Sequence, residues 1–217
     1  MNEQSSKKLL IIGCGRAGTS YISHVLKNIG LDIAHETYGK DGLSNWYFAP
    51  GSKMSHGPYG AGILFGQYKY EHVFHQIRHP LKTISSSQRF TPGSWRYAFR
   101  YIPITVGKSL LYNCMEYWLY WNQIAEEISE WSYRIEDFQE QFLEFCERIE
   151  EPDLFNEKSC QVIRDIPTNI NSRTGRFVPA TWDVLWKEDE ELCKLILNQA
   201  RRYGYEIDYY KNKGKKI

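Results

Sequence analysis

The chain has 217 residues, of which 42% are hydrophobic and 15% aromatic, and its formal net charge is +1. This length suits one domain with a sizeable core. A charge so close to zero argues against a broad nucleic-acid-binding surface. The polar N-terminus does not resemble a signal peptide and no apolar run reaches the length of a membrane span, so we expect partners that are neither nucleic acids nor membranes.

The predicted elements alternate between strands and helices. In chain order they are a strand over 7–14, a glycine-rich turn, a helix over 19–30, a strand over 31–36, a long loop over 37–70, a strand over 71–80, a helix over 81–90, an irregular segment over 91–107, a helix over 108–131, a strand over 132–138, a helix over 139–149 and a helix over 188–203. This order predicts a three-layer α/β fold like that of P-loop NTPases, with a parallel sheet of about four or five strands and helices on both faces. We predict a single domain over 1–217, with a core over about 7–206 and a basic tail over 207–217.

Cysteine and histidine spacing gives no sign of a metal site. The five cysteines are odd in number, scattered and never paired as C-x-x-C, which predicts reduced thiols in a cytoplasmic protein. Cys14 lies where a helix N-terminus would favour a thiolate, but we interpret it as a small residue that fits a tight turn. His72, His75 and His79 flank one predicted strand, and we expect them to be paired or solvated rather than bound to a metal.

The glycine-rich turn after the first strand allows two interpretations. Its residues Gly13-Cys14-Gly15-Arg16-Ala17-Gly18 fit the G-x-G-x-x-G fingerprint, and Glu36 follows 18 positions after the turn, near where a ribose-binding acid would lie. The turn also has P-loop spacing, but Thr19 stands where an NTPase needs lysine. ATP hydrolysis is therefore disfavoured, and an NAD-dependent oxidoreductase is kept as an alternative. Amides at the helix start, the Arg16 guanidinium and the hydroxyls of Thr19 and Ser20 still form an anion cradle.

A second anion-binding signal lies in "IRHPLKTISSS". Arg78 ends a strand and Ser86 follows eight residues later, so both can meet one phosphate after Pro80 has turned the chain. The segment "NSRTGR" places Arg173 and Arg176 in a late basic loop. Two separate anion sites suit a nucleotide phosphorylated at its 5′ and 3′ positions, whereas the pyrophosphate of NAD needs only one.

With these motifs the sequence resembles sulfotransferases that use 3′-phosphoadenosine 5′-phosphosulfate. The resemblance is carried by the 5′-phosphosulfate loop Arg16-Ala17-Gly18-Thr19-Ser20-Tyr21, by the 3′-phosphate motif Arg78, Pro80 and Ser86, and more loosely by Arg173–Arg176 and "RRYGYE" at 201–206. It implies a P-loop-type fold, adenosine 3′,5′-bisphosphate as product, no metal, and a small-molecule or carbohydrate acceptor with a hydroxyl or an amine. Many cytosolic members have lysine where this chain has Arg16, which would stabilise charge without donating a proton.

The same resemblance implies roles for individual residues. The backbone from Gly15 to Ser20 and the Arg16 side chain hold the 5′-phosphate, and Tyr21 stacks on adenine. The 3′-phosphate binds Arg78 and Ser86, and the loop with Arg173 and Arg176 covers the nucleotide. Glu36 is the first candidate for the catalytic base and His35 the second, followed by Asp41 and His56. A non-catalytic nucleotide-binding relative is a further alternative.

Aromatic residues in the irregular segments have two interpretations. Trp46 and Tyr47, together with Trp95, Tyr97, Phe99 and Tyr101, could line an acceptor pocket. The alternation from 95 to 101 is also typical of a half-buried strand, which we favour. Because the carboxyl ends of parallel strands meet at one sheet edge, the glycine turn, His35, Glu36 and Arg78 are expected to converge on one crevice.

Overall fold

The computed structural model describes residues 6–51, 67–167 and 179–209, and the structural statements below concern these ranges. The strands are β1 (Ser6–Gly13), β2 (Ile33–His35), β3 (Gly42–Ser44), β4 (Lys69–Ile77) and β5 (Trp131–Arg134). The helices are α1 (Thr19–Asn28), α2 (Pro80–Ser87), α3 (Pro92–Ala98), α4 (Leu110–Glu126), α5 (Phe142–Arg148), α6 (Glu157–Asp165), α7 (Trp182–Glu188) and α8 (Glu190–Arg202). Short 3-10 turns cover Trp46–Phe48, Ile135–Asp137 and Pro152–Leu154.

The five strands form one parallel sheet in the order β2-β3-β1-β4-β5. This confirms the predicted α/β fold with a parallel central sheet. Strand β1 pairs with β3 on one side and with β4 on the other. The chain therefore leaves β1 toward one edge of the sheet and later returns on the other side. In open α/β sheets, ligands bind beyond the strand ends at such a switch point.

Strand β1 is buried on both faces, which explains its run of four aliphatic residues. Leu9 and Ile11 pack into a core with helices α1, α5 and α6, whereas Leu10 and Ile12 pack into a second core with α2, α4 and α8. All four side chains have an exposed fraction of 0%. The helices consequently form one layer on each side of the sheet, as predicted.

Part of the predicted 37–70 loop is ordered structure. Strand β3 pairs with β1 in the register Leu9↔Gly42, and the 3-10 turn after it is capped by the Asn45 side chain, which accepts the Tyr47 N–H at 2.9 Å. Strand β3 has the sequence Gly-Leu-Ser, with one hydrophobic residue and no strand pattern, so its stability comes from pairing with β1 and β2. The predicted strand over 132–138 also stops at Arg134 and continues as a 3-10 turn.

The prediction of a half-buried strand around residues 95–101 is wrong. Residues 95–98 instead belong to helix α3. Pro92 occupies the first turn of this helix, and the Thr91 hydroxyl accepts the Ser94 N–H at 3.2 Å. A capping hydroxyl followed by proline is a helix start signal, and here it prevails over the short alternation of aromatic residues. Helices α6 and α7 were likewise not predicted.

His75 lies fully buried in the contact between the sheet and helix α4. The Asn122 amide donates to the Trp118 carbonyl at 2.8 Å, which turns its oxygen toward the His75 Nε2 at 3.0 Å. The Ser132 hydroxyl contacts the other ring nitrogen at 3.2 Å. Burial lowers the pKa of His75 to about 4, and the nearby Arg202 and Glu126 act in opposite directions. The folded protein therefore holds a neutral imidazole at neutral pH.

We expect the stability of the protein to fall between about pH 6.5 and pH 4. In that window the unfolded chain binds a proton at His75, whose ordinary pKa is 6.5, and the folded chain does not. The free energy of unfolding should drop by about 3 kcal/mol over the window. Urea unfolding across this pH range measures the slope, and His75→Gln should make it shallower; a slope of the same sign should remain, because burial also lowers the pKa of His35 and of His79. An equal slope in both proteins would contradict the assignment.

Candidate functional site

A cleft of about 1270 Å³ lies at the carboxyl ends of β1, β2 and β4. Its walls bring together the segment from Gly15 to Tyr21, the pair His35 and Glu36, and the pair Arg78 and Ser86. The strands that carry these residues are separated in sequence, and the parallel sheet gathers their ends at one edge. Arg173, Arg176 and His56 fall outside the described residues, so their predicted roles stay predictions.

The glycine turn leads β1 into helix α1 through left-handed backbone. Gly18 is the N-cap of α1 with φ +94° and offers no side-chain cap, and Arg16 has φ +76°. At Gly13 a Cβ atom would lie only 2.2 Å from the Gln76 carbonyl oxygen, so no larger residue fits there without moving β4. The first amides of a helix have no partner within the helix. The residues of this helix start line the cleft, and amides at such a position are the kind of group that binds anions.

Buried polar residues fix the shape of this turn. The Gly15 N–H donates to the Tyr117 hydroxyl at 2.7 Å, and the Gln76 amide donates to the Ala17 carbonyl at 2.8 Å. The Tyr133 hydroxyl in turn donates to the Gln76 side chain at 2.8 Å. The loop is thus preorganised before any ligand binds. The sequence analysis did not identify Tyr117, Gln76 or Tyr133 as residues that hold the turn, although a glutamine inside the buried strand β4 was a recognisable signal.

The two anion motifs touch each other. The Arg16 Nε donates to the Ser86 hydroxyl at 2.9 Å, across 70 positions of sequence. The Arg78 guanidinium donates to the Arg16 carbonyl at 2.9 Å. Burial lowers the pKa of Arg78, an effect opposed by the nearby Glu136, but an arginine still stays charged at neutral pH. Two guanidinium groups and a hydroxyl therefore border one continuous space.

The pair at the end of β2, His35 and Glu36, lines the same cleft. Glu36 has a left-handed backbone with φ +55°, and its carboxylate accepts the Trp46 indole N–H at 3.2 Å. The His35 Nε2 lies 3.2 Å from the Thr19 hydroxyl and 3.9 Å from the Glu36 carboxylate. Burial lowers the pKa of His35, and the Glu36 charge raises it by less. His35 is therefore neutral near pH 7 and able to accept a proton.

Asp41, a further candidate for the base, is not among the described residues that line the cleft. Its carboxylate accepts the Asp32 N–H at 2.8 Å and so orders the connection between β2 and β3. Among the described residues, the carboxylates that line the cleft are those of Glu36 and Glu136. Glu136 accepts the His79 N–H at the start of α2, at 3.1 Å.

One face of helix α2 contributes residues that were not predicted. Lys82, Ser85 and Arg89 line the cleft together with Ser86. Lys82, Ser85 and Ser86 are spaced by three and four residues on one face of α2, so the sequence did contain the signal, and Arg89 follows two residues after the helix ends at Ser87. The Ser85 hydroxyl donates to the Leu81 carbonyl at 2.6 Å and accepts the Ala180 N–H at 2.8 Å, which ties the segment before α7 to this wall.

Aromatic residues form the wall between Glu36 and helix α3. Trp46 and Phe90 line the cleft, and their ring centroids are 5.5 Å apart. Tyr97 is buried, with its hydroxyl donating to the Tyr47 carbonyl at 2.6 Å. Of the residues considered for an acceptor pocket, Trp46 therefore reaches the cleft, whereas Tyr47 and Tyr97 belong to the core.

The five cysteines and the histidines His72 and His79 take structural positions. Cys14 is fully buried, burial raises the pKa of its thiol, and none of the five cysteines is in a disulfide. His72 pairs with Glu130 at 2.8 Å, and His79 caps helix α2. In the described ranges no three histidine, cysteine, aspartate or glutamate side chains group as a metal site would require. None of the helices described here is long and apolar enough to cross a membrane.

Comparisons with family models, with curated proteins and with solved structures give no match to this chain. The fold and the cleft define an α/β protein whose cationic cleft lies at the carboxyl edge of a five-stranded parallel sheet.

Proposed function

We propose that this protein is a cytoplasmic sulfotransferase that moves a sulfuryl group from 3′-phosphoadenosine 5′-phosphosulfate to the hydroxyl of a small-molecule or carbohydrate acceptor. The observation that carries the proposal is the contact of the two anion motifs, in which Arg16 bonds Ser86 and Arg78 bonds the Arg16 backbone. Adjacent anion sites suit the two phosphate positions of one ribose. A single pyrophosphate or triphosphate would not need this arrangement.

In this proposal the glycine turn holds the 5′-phosphosulfate. The amides at the start of α1 and the hydroxyls of Thr19 and Ser20 supply donors, as an anion at a helix N-terminus requires. Arg16 stabilises the charge that grows on the 5′-phosphate oxygen as its bond to sulfur breaks. The turn is held by Gln76 and Tyr117, so these donors need no rearrangement during the reaction.

The acceptor oxygen forms a bond to sulfur in line with the bond that breaks, and its proton passes to a base. Glu36 is the first candidate because its carboxylate lines the cleft and is oriented by Trp46. His35 is the second, since its lowered pKa leaves the imidazole neutral near pH 7. In both cases the base faces the phosphosulfate loop from the end of β2.

The strand order speaks against the NAD alternative. In the usual dinucleotide-binding fold the second strand lies next to the first, which places its terminal acid beside the glycine turn. Here β3 lies between β1 and β2, so Glu36 ends a strand that does not pair with β1. This difference is visible only in the sheet and not in the spacing of the motif.

Thermal shift with three nucleotides tests the proposal. Adenosine 3′,5′-bisphosphate at about 100 times its dissociation constant should stabilise the protein by about 2.7 kcal/mol, and ATP and NADH at the same concentration should not. For a chain of this length the corresponding rise in Tm is about 5–10 °C. A response to NADH alone would overturn the proposal. Binding of the bisphosphate without turnover on a broad acceptor panel would identify a non-catalytic relative instead.

A further inference from the structure

We propose that His35 positions the hydroxyl of Thr19 for donor binding and is not the base of the reaction. With the donor bound, the imidazolium of His35 donates from Nε2 to the Thr19 oxygen, and the Thr19 proton turns toward the 5′-phosphate. This role rests on the proposed sulfuryl transfer and adds to it a proton that is taken up when the donor binds. It is carried by the contact between the two side chains and by the charges around them.

Thr19 and His35 meet where the start of helix α1 approaches the end of strand β2. Thr19 is the first residue of α1 and is only 4% exposed. Its Oγ1 lies 3.2 Å from the His35 Nε2, and both residues line the cleft. The amides of the same helix start form the proposed 5′-phosphate site. One hydroxyl therefore belongs to the proposed phosphate site and at the same time contacts a titratable ring.

The number of protons on His35 decides what Thr19 can do. A hydroxyl has one proton to donate and two lone pairs that accept, and a neutral imidazole has one N–H whereas an imidazolium has two. If Nε2 lacks a proton, it accepts the Thr19 proton, which is then lost to a ligand. If Nε2 carries a proton, it donates to the Thr19 oxygen, and the Thr19 proton is available to an anion. An imidazolium always has the second arrangement, whereas a neutral ring can adopt either.

The surroundings keep His35 neutral before a ligand binds. Burial lowers the pKa of His35, and the Glu36 carboxylate, 3.9 Å from Nε2, raises it by less. The neighbouring strand β3 places Ser44 beside His35 in the register, and serine does not titrate in this range. After β3, the Tyr47 hydroxyl donates to the Glu36 carbonyl at 3.4 Å, and burial raises the pKa of Tyr47 to about 12. Arg16 of the glycine turn lines the same cleft with a permanent positive charge.

An anion at the start of α1 reverses this balance. A phosphate oxygen that accepts the Thr19 proton lies at most about 6 Å from the His35 Nε2, because two hydrogen bonds separate the two atoms. A negative charge at that distance favours the charged form of a histidine, so the pKa of His35 is higher in the complex than in the free protein. Donor binding therefore draws a proton onto His35. This contribution to affinity is present at low pH and is lost as the pH rises through the pKa of His35 in the complex.

An imidazolium has no lone pair with which to accept the proton of the acceptor. If His35 is charged while the donor is bound, the base is Glu36, whose carboxylate lines the same cleft. The two adjacent residues at the end of β2 then have different roles, since one positions a donor group and the other takes a proton. Glutamine at position 35 separates these roles, because its amide N–H can still donate to the Thr19 oxygen but cannot titrate.

Isothermal titration calorimetry with adenosine 3′,5′-bisphosphate counts the protons. Titrations at pH 6.5 in two buffers of different ionisation enthalpy give the number of protons taken up per bound nucleotide. The phosphates of the ligand themselves titrate at about pH 6, so the informative quantity is the difference between proteins that bind the same ligand. We expect the wild type to take up about 0.3–0.8 protons more than His35→Gln. His72→Gln is the matched control and should keep the wild-type count, because His72 pairs with Glu130 and is not among the described residues that line the cleft.

The affinities test whether His35 acts through Thr19. At pH 8 the wild type and His35→Gln should bind the bisphosphate within about twofold of each other, whereas at pH 6 the wild type should bind about 3- to 10-fold more tightly. Thr19→Val keeps the shape of the side chain and removes the hydroxyl. In that background the same replacement of His35 should change the affinity at pH 6 by less than about twofold.

Three results would overturn this role of His35 while leaving the proposed function intact. Equal proton counts in the wild type and His35→Gln would mean that His35 takes up no proton. A loss of affinity in His35→Gln that is the same at pH 6 and pH 8 would mean a structural role alone. An undiminished effect of His35→Gln in the Thr19→Val background would mean that the imidazolium acts on the phosphate directly. If the bisphosphate fails to bind the wild-type protein, the proposed donor is wrong and the role of His35 falls with it.

Discussion

Replacing Glu36 by glutamine is expected to lower kcat by about 100- to 10 000-fold, the range that general-base catalysis contributes. The amide keeps the size of the side chain and can still accept the Trp46 N–H, but it cannot take the acceptor proton. Affinity for adenosine 3′,5′-bisphosphate should therefore stay within about twofold of the wild type. Transfer of a labelled sulfuryl group, followed with saturating donor, measures the loss.

Asp41→Asn is the matched control for this change. Asp41 is a carboxylate close to Glu36 in sequence, and its bond to the Asp32 N–H can be kept by the amide oxygen. This variant should turn over at nearly the wild-type rate. If Glu36→Gln also stays near the wild-type rate while His35→Gln loses activity, the base is His35 and not Glu36.

Replacing Arg78 by lysine should weaken binding of adenosine 3′,5′-bisphosphate by roughly 10- to 100-fold. The fork of the guanidinium is lost, and one charge-assisted hydrogen bond is worth about 1.5–3 kcal/mol. Isothermal titration measures the change. Ser86→Ala should act on the same ligand, and a double-mutant cycle should give coupling because Ser86 is bonded to Arg16, whose carbonyl Arg78 holds.

AMP, which lacks the 3′-phosphate, separates two roles of Arg78. Since the side chain also holds the Arg16 carbonyl, its loss could disturb the 5′ loop rather than a phosphate contact. If Arg78 binds the 3′-phosphate, Arg78→Lys should change the affinity for AMP by less than about threefold. An equal loss for both nucleotides would mean that Arg78 acts through the loop, and the 3′-phosphate assignment would be wrong.

Local signals explain why much of the fold could be read from the sequence. The aliphatic run of β1 is buried on both faces, so a parallel sheet was predictable from four residues. The glycine turn, the start of α1 and its apolar face were predictable as well, because backbone conformation and helical period depend on neighbouring residues. Arg78 and Ser86 were identified by the same kind of short-range spacing around Pro80.

Long-range contacts account for what could not be predicted. Strand β3 is stabilised by its pairing with β1, and its sequence Gly-Leu-Ser shows no strand pattern. Gln76, Tyr117 and Tyr133 shape the glycine turn from three different elements.

The sequence by itself determined that this protein is a parallel α/β chain and contains two motifs predicted to bind anions, because strand burial, glycine turns and helix starts are local properties. The strand order also predicted that the motifs converge on one crevice, and the tertiary structure alone decided which of their groups meet. Their contact joins Arg16 to Ser86 across 70 residues and depends on β1 and β4 being neighbours in the sheet. In the order β2-β3-β1-β4-β5, β3 also lies between β1, which leads into the glycine turn, and β2, which Glu36 follows. The spacing of the motif along the chain does not reveal this strand order.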